Sequence, residues 1–145
     1  MTTTGFRGSD HTLQETHHWL NEIAEEMGNP DRHLAYHALR GVLFALRDRV
    51  TVEEVFNLSA QLPMLMRGIY LEGYKVAGKP EKYHVDEFLA RVNREISKVG
   101  PANPEKAARA VLKVLDRHVS LGETNDIYYS LPKDIRRLWP ALEPA

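Results

Sequence analysis

His33 and His37 stand four residues apart within a stretch of helical spacing, so both imidazoles project from one helix face. Such a pair can hold zinc, copper, nickel or haem iron once further ligands join it. The helix before it carries His11, His17 and His18. The candidate metal set is therefore His17, His18, His33 and His37. A His-Glu-x-x-His pattern is missing, and solvent-facing histidines are the plainer reading. A second constellation is Arg67, Tyr70, Glu72 and Tyr74, with Arg40 in support. The tyrosines would supply apolar contact to a protein or small-molecule partner, and Arg67 a charge-assisted hydrogen bond. The plainer alternative is that this stretch only turns the chain into the next helix, its tyrosines packing inward.

Neither set nominates a reaction. Glu22, Glu25-Glu26 and Glu53-Glu54 could serve acid–base chemistry only if buried against one another. Glu54 and Glu123 read instead as capping-box partners, and the earlier glutamates as a solvated face. Ser59, Ser97, Ser120 and Ser130 lack a nucleophile-elbow context. Gly68-x4-Gly73 lacks the Lys-Ser/Thr ending of a phosphate loop. No catalytic residue and no cofactor is nominated, which leans away from an enzyme. Arg40, Arg47 and Arg49, with Arg109, Lys113 and Arg117, could make two basic edges for an anionic partner. A formal net charge of −1 argues against a dedicated nucleic-acid binder. An Arg recurring at 40 and 109 could equally cap a helix or bridge the halves through an ion pair.

The elements that must position these residues come from a chain of 145 residues, enough for one domain with a self-sufficient core. There is no cysteine, so disulfides, thiolate nucleophiles and cysteine-held metals are excluded. No run approaches the roughly 18 apolar residues of a membrane span. The first twenty residues hold no apolar stretch and carry Glu15, so no secretory signal is visible and a cytoplasmic setting is expected.

The chain repeats itself at an offset of 69 residues. Residues 19–70 slide onto 88–139 without a gap, and twelve positions are identical, Arg40/Arg109, Glu54/Glu123 and Arg67/Arg136 among them. Positions shared by both halves read as scaffold, and those present in one half as candidates for a task. Gly68 faces Arg137 in this alignment, so one half leaves room where the other is bulky.

Apolar spacing predicts a helix over about 11–27, stopped by Gly28, and a second opened by Asn29-Pro30. Thr51-Val52-Glu53-Glu54 opens a third, and Leu62-Pro63 breaks it before a fourth. The second half repeats the plan with Asn103-Pro104, Ser120-Leu121-Gly122-Glu123 and Leu131-Pro132. The expectation is an all-α, compact bundle of about eight helices, built from two tandem pseudo-symmetric four-helix repeats. Repeat 1 covers about 11–71, a loop 72–84 and repeat 2 about 85–139, in one domain over 11–140. Residues 1–10 and 141–145 are expected to be loose tails. Tyr128-Tyr129 and Met64-Leu65-Met66 could mark a homodimer surface or lie in the core.

Three strings carry a resemblance. They are Ala35-Tyr36-His37-Ala38-Leu39-Arg40-Gly41-Val42-Leu43, then Leu62-Pro63-Met64-Leu65-Met66-Arg67-Gly68-Ile69-Tyr70, and Leu131-Pro132-Lys133-Asp134-Ile135-Arg136-Arg137-Leu138-Trp139. They resemble the bacterial family catalogued as domain of unknown function 2267, over about residues 15–140. The resemblance implies a small all-helical bacterial protein and an accessory, stress-associated role, and it brings no reaction with it. His37 stands where relatives tend to carry Arg, so the resemblance gives it no family-wide role.

Overall fold

The computed structural model describes residues 5–139. Among them are eight helices and no strand. The helices are α1 (Arg7–Met27), α2 (Arg32–Arg49), α3 (Val52–Ser59), α4 (Met64–Leu71), α5 (Val85–Ile96), α6 (Pro104–His118), α7 (Leu121–Ser130) and α8 (Lys133–Arg136). None is long and apolar enough to cross a membrane.

Local chemistry sets the ends. Gly28, at φ 68°, takes the left-handed conformation and donates its N–H to Ala24 and Glu25 carbonyls, closing α1. The second helix opens later than Asn29-Pro30 suggests. Asp31 is the cap, accepting from the N–H groups of His33 and Leu34, while the Asn29 side chain accepts from the Asp31 N–H in the turn before it. Asn103 caps α6 with Pro104 as its first residue. Thr51 and Ser120 accept from the N–H groups of Glu54 and Glu123 to open α3 and α7. Pro63 and Pro132 stand immediately before α4 and α8.

Residues 7–10, expected in a loose tail, instead form the first turn of α1. Thr12 explains the extension. It is buried on α1, and its hydroxyl accepts from the Leu65 N–H at the start of α4. Tertiary contact thus overrides a weak local preference. Residues 1–4 and the expected tail at 141–145 lie outside the described residues.

The apolar stripes of α2 and α6 meet at the centre. α2 touches α1, α4, α5 and α6, and α6 also touches α1 and α5. Leu39, Leu43, Val111 and Leu112 from the central pair pack with Ile23 of α1 and Val92 and Ile96 of α5. Gly41 lets α2 approach α5 closely, because a Cβ there would stand 3.1 Å from the Val92 Cα. The short helices form the rim, with α3 against α7, α4 against α1 and α8 against α5.

Candidate functional site

The Arg67–Tyr74 constellation is divided by the fold. Tyr70 is 0% exposed, a core residue whose hydroxyl has no hydrogen-bond partner. Arg67 donates to the Ser59 and Leu62 carbonyls at 3.0 and 3.2 Å, closing the C-terminus of α3. Arg136, 69 residues on, does the same for α7, donating to the Tyr128 and Leu131 carbonyls at 3.0 and 2.8 Å. Arg40 lies elsewhere, paired with Glu95 at 3.2 Å and stacked over the Phe44 ring. Tyr74 is half-buried, with its hydroxyl unpartnered. Glu72 is exposed, and its backbone carbonyl accepts from Arg47 at 2.6 Å.

The two basic edges are spent inside the molecule. Arg47 and Arg49 are buried, not surface residues. Arg47 donates to the Tyr70 and Glu72 carbonyls, and Arg49 to the Tyr83 carbonyl at 2.6 Å, so both tie the 72–84 loop to α2. Arg109 pairs with Glu105, Lys113 with Glu26, and Arg117 with Glu22 and Glu26. The histidines divide between α1 and α2. His18 sits beside Glu22 and His118 at the α1–α6 seam, His33 and His37 pack edge to face, and His37 bonds to Glu95 on α5 at 2.9 Å. His17 is on an exposed position of α1.

Carboxylates converge where the sequence had seen only capping. One oxygen each from Glu54, Glu123 and Asp126 lies within 4.8 Å of the others, on the line where α3 meets α7. The reason is visible in the caps. A full capping box needs the glutamate side chain to return to the cap N–H. At Ser120 that N–H is taken by the Gln61 side-chain oxygen at 2.7 Å, while the Gln61 amide donates to the Ser120 hydroxyl at 3.0 Å. Glu123 is thereby released to face Glu54. In the 69-residue alignment Asp126 stands opposite Asn57. Asn57 donates to Glu54 at 3.0 Å, whereas an aspartate carboxylate has no proton to give Glu123. Glu54 Oε2 and Glu123 Oε2 are buried without partners. Burial first, then the charges of Glu54 and Asp126, push the Glu123 carboxyl up to about 7.

A second unabsorbed feature is the outer face of α4. Met64 is 61% and Leu65 38% exposed, with Phe6 of the chain's N-terminal approach at 66% beside them. These residues, with Gly68, Ile69 and Glu72, line a groove of about 420 Å³. A Cβ on Gly68 would meet no atom within 4 Å.

Residues 16–138 match the family model described as an uncharacterized conserved protein (DUF2267). The chain belongs to this DUF2267 family. Its matched span contains the carboxylate cluster and all of α4, and leaves out Phe6. A comparison with curated proteins finds no match. Each glutamate of the cluster has a sufficient local explanation as a capping-box partner, so spacing alone does not reveal the cluster. The signal that could have found it is the pairing of an identical Glu54/Glu123 with a changed Asn57/Asp126.

Proposed function

We propose that this DUF2267 protein is a non-catalytic accessory module that works by docking through the outer face of α4, and that its first occupant there is a second copy of the same chain. The observation that carries this is the density of exposed apolar side chains. Among the described residues, Phe6, Met64 and Leu65 are three of the seven exposed large hydrophobics, and they share one groove. The equivalent helix has no such face: Lys133, Asp134 and Arg137 stand opposite Met64, Leu65 and Gly68. Asp134 there accepts from the Val85 N–H at 3.1 Å and pairs with His84, an intramolecular task.

Charge favours a self-paired arrangement. Glu72 lies at the C-terminal end of the α4 stripe, and the positive end of the helix dipole at its start. Two copies running antiparallel would bring each Glu72 to the other's helix start, the self-complementary geometry of a twofold interface. Gly68 would let the two backbones come close. A duplicated origin for the two halves belongs to the same reading. It is supported by the matched carbonyl bonds of Arg67 and Arg136 and by the Thr51 and Ser120 caps. A cytoplasmic setting and a stress-associated role complete the proposal, the first supported by the lack of cysteine and the second by the resemblance alone.

Sedimentation velocity across a concentration series tests it. The parent chain is expected to populate a dimer. Met64→Glu combined with Leu65→Glu is expected to leave a monomer whose melting temperature falls only modestly, because Met64 is mostly and Leu65 partly in water. A monomeric parent, or a dimer indifferent to the double change, removes the proposal.

A further inference from the structure

The α3–α7 seam carries an assignment independent of the outer face of α4. We propose that Glu54, Glu123 and Asp126 form a binding site for one hard divalent cation, Mg²⁺ or Mn²⁺. The geometry is a three-carboxylate cluster with ligand oxygens mutually within 4.8 Å. Two further observations point to something positive among them. Glu123 is 7% exposed, and its Oε2 is buried without a partner. The Tyr70 hydroxyl, on a wholly buried side chain, also lacks a partner, and Glu123 and Glu54 are among the groups that act on it, after Tyr74 and Arg47. Buried polar groups left unsatisfied are uncommon, and each calls for a ligand, an ion or a water.

The donor chemistry selects the ion. All three ligands are carboxylate oxygens, with no imidazole or thiolate, which suits hard cations over zinc or copper. Three protein oxygens leave the remaining positions to water, the habit of Mg²⁺ and Mn²⁺, where Ca²⁺ asks for six to eight oxygens. Asp126, at the exposed side of the cluster, would admit the ion without opening the core. The difference that makes the site is Asp126, where the aligned position in the first half holds Asn57. Such a cation would bolt α3 to α7 across the two halves of the chain.

Mn²⁺ titration of the full chain, with free Mn²⁺ read by electron paramagnetic resonance near neutral pH, decides the matter. One saturable equivalent, displaced by Mg²⁺, is expected. Asp126→Asn and Glu123→Gln should each weaken it by about tenfold or more, and Glu53→Gln, an exposed residue of α3 outside the cluster, should leave it unchanged. No saturable binding at millimolar Mn²⁺ would overturn the assignment, as would binding indifferent to Asp126→Asn. If Glu123→Gln fails to fold, Asp126→Asn still decides, because its side chain is exposed.

Discussion

Glu95 and Glu123 are buried to nearly the same depth, at 8% and 7% exposure, in opposite electrical company. Glu95, on α5, accepts from Lys98 at 2.8 Å and His37 at 2.9 Å, with the Arg40 guanidinium at 3.2 Å. Its desolvation would raise its pKa, but these three partners together hold it below the usual carboxylate range. Glu123, on α7, is also desolvated but faces the negative charges of Glu54 and Asp126, so it is pushed up to about 7. Depth of burial therefore does not decide what a buried carboxylate does. The sign of its neighbours does. The α2–α5 seam is closed by charges the chain supplies itself. The α3–α7 seam lacks one positive charge, and a proton or a cation can provide it.

The largest expected effect removes the satisfied member. Glu95→Ala strands His37 and Arg40 without their shared acceptor. Breaking a buried pair from one side costs several kcal/mol, but Arg40 and Lys98 reach solvent, so about 2–3 kcal/mol is expected by urea unfolding. A loss under about 0.5 kcal/mol would show that this seam is not held by its charges.

The next effect is a pH dependence whose sign differs between the two glutamates. Glu123 binds its proton more tightly folded than unfolded, so without metal its contribution is fully present below the ordinary 4.5. It is lost as pH rises from there through about 7. Glu95 is the reverse. Its contribution is present above 4.5 and lost as pH falls through its depressed folded value. In chelator, unfolding free energy is expected to fall by on the order of 2 kcal/mol between those two Glu123 values, and Glu123→Gln should flatten that limb alone. Glu95→Gln should flatten the acid limb alone. An unchanged neutral limb in Glu123→Gln would assign it to another group.

The contrast between these seams also explains which parts of the molecule were legible from residues alone. Helix starts at Thr51, Asn103 and Ser120, and breaks at Pro63 and Pro132, depend on a few adjacent residues, so they could be read directly. Where two cap residues stood close together, as at Asn29 and Asp31, the nearer one to the helix won. Arg47 and Arg49 looked like surface because charged residues seldom bury without partners. Their partners are carbonyls at the end of α4 and in the 72–84 loop, tens of residues away and invisible to spacing. The carboxylate cluster was hidden for a subtler reason. A capping box has an outward and a return bond, and only the outward one is local. Gln61, 59 residues from Ser120, makes the return bond and frees Glu123.

The smallest expected effect sharpens the comparison most. Asp126→Asn replaces a carboxylate with a donor at the position opposite Asn57, recreating on α7 the Asn–Glu bond that α3 already makes at 3.0 Å. Glu123 would then gain a hydrogen bond and lose a like charge. In chelator this should stabilise the fold by about 1 kcal/mol, the ordinary net worth of a satisfied buried acceptor, as read by thermal unfolding near neutral pH. The same change removes a ligand from the proposed cation site, so added Mn²⁺ should raise the melting temperature of the parent chain and leave the variant where it was. Stabilisation without chelator-sensitive behaviour in the parent would mean that the missing charge at this seam is a proton. Destabilisation would mean that Asp126 is held by a group other than Glu123, and that the two seams differ by less than their glutamates suggest.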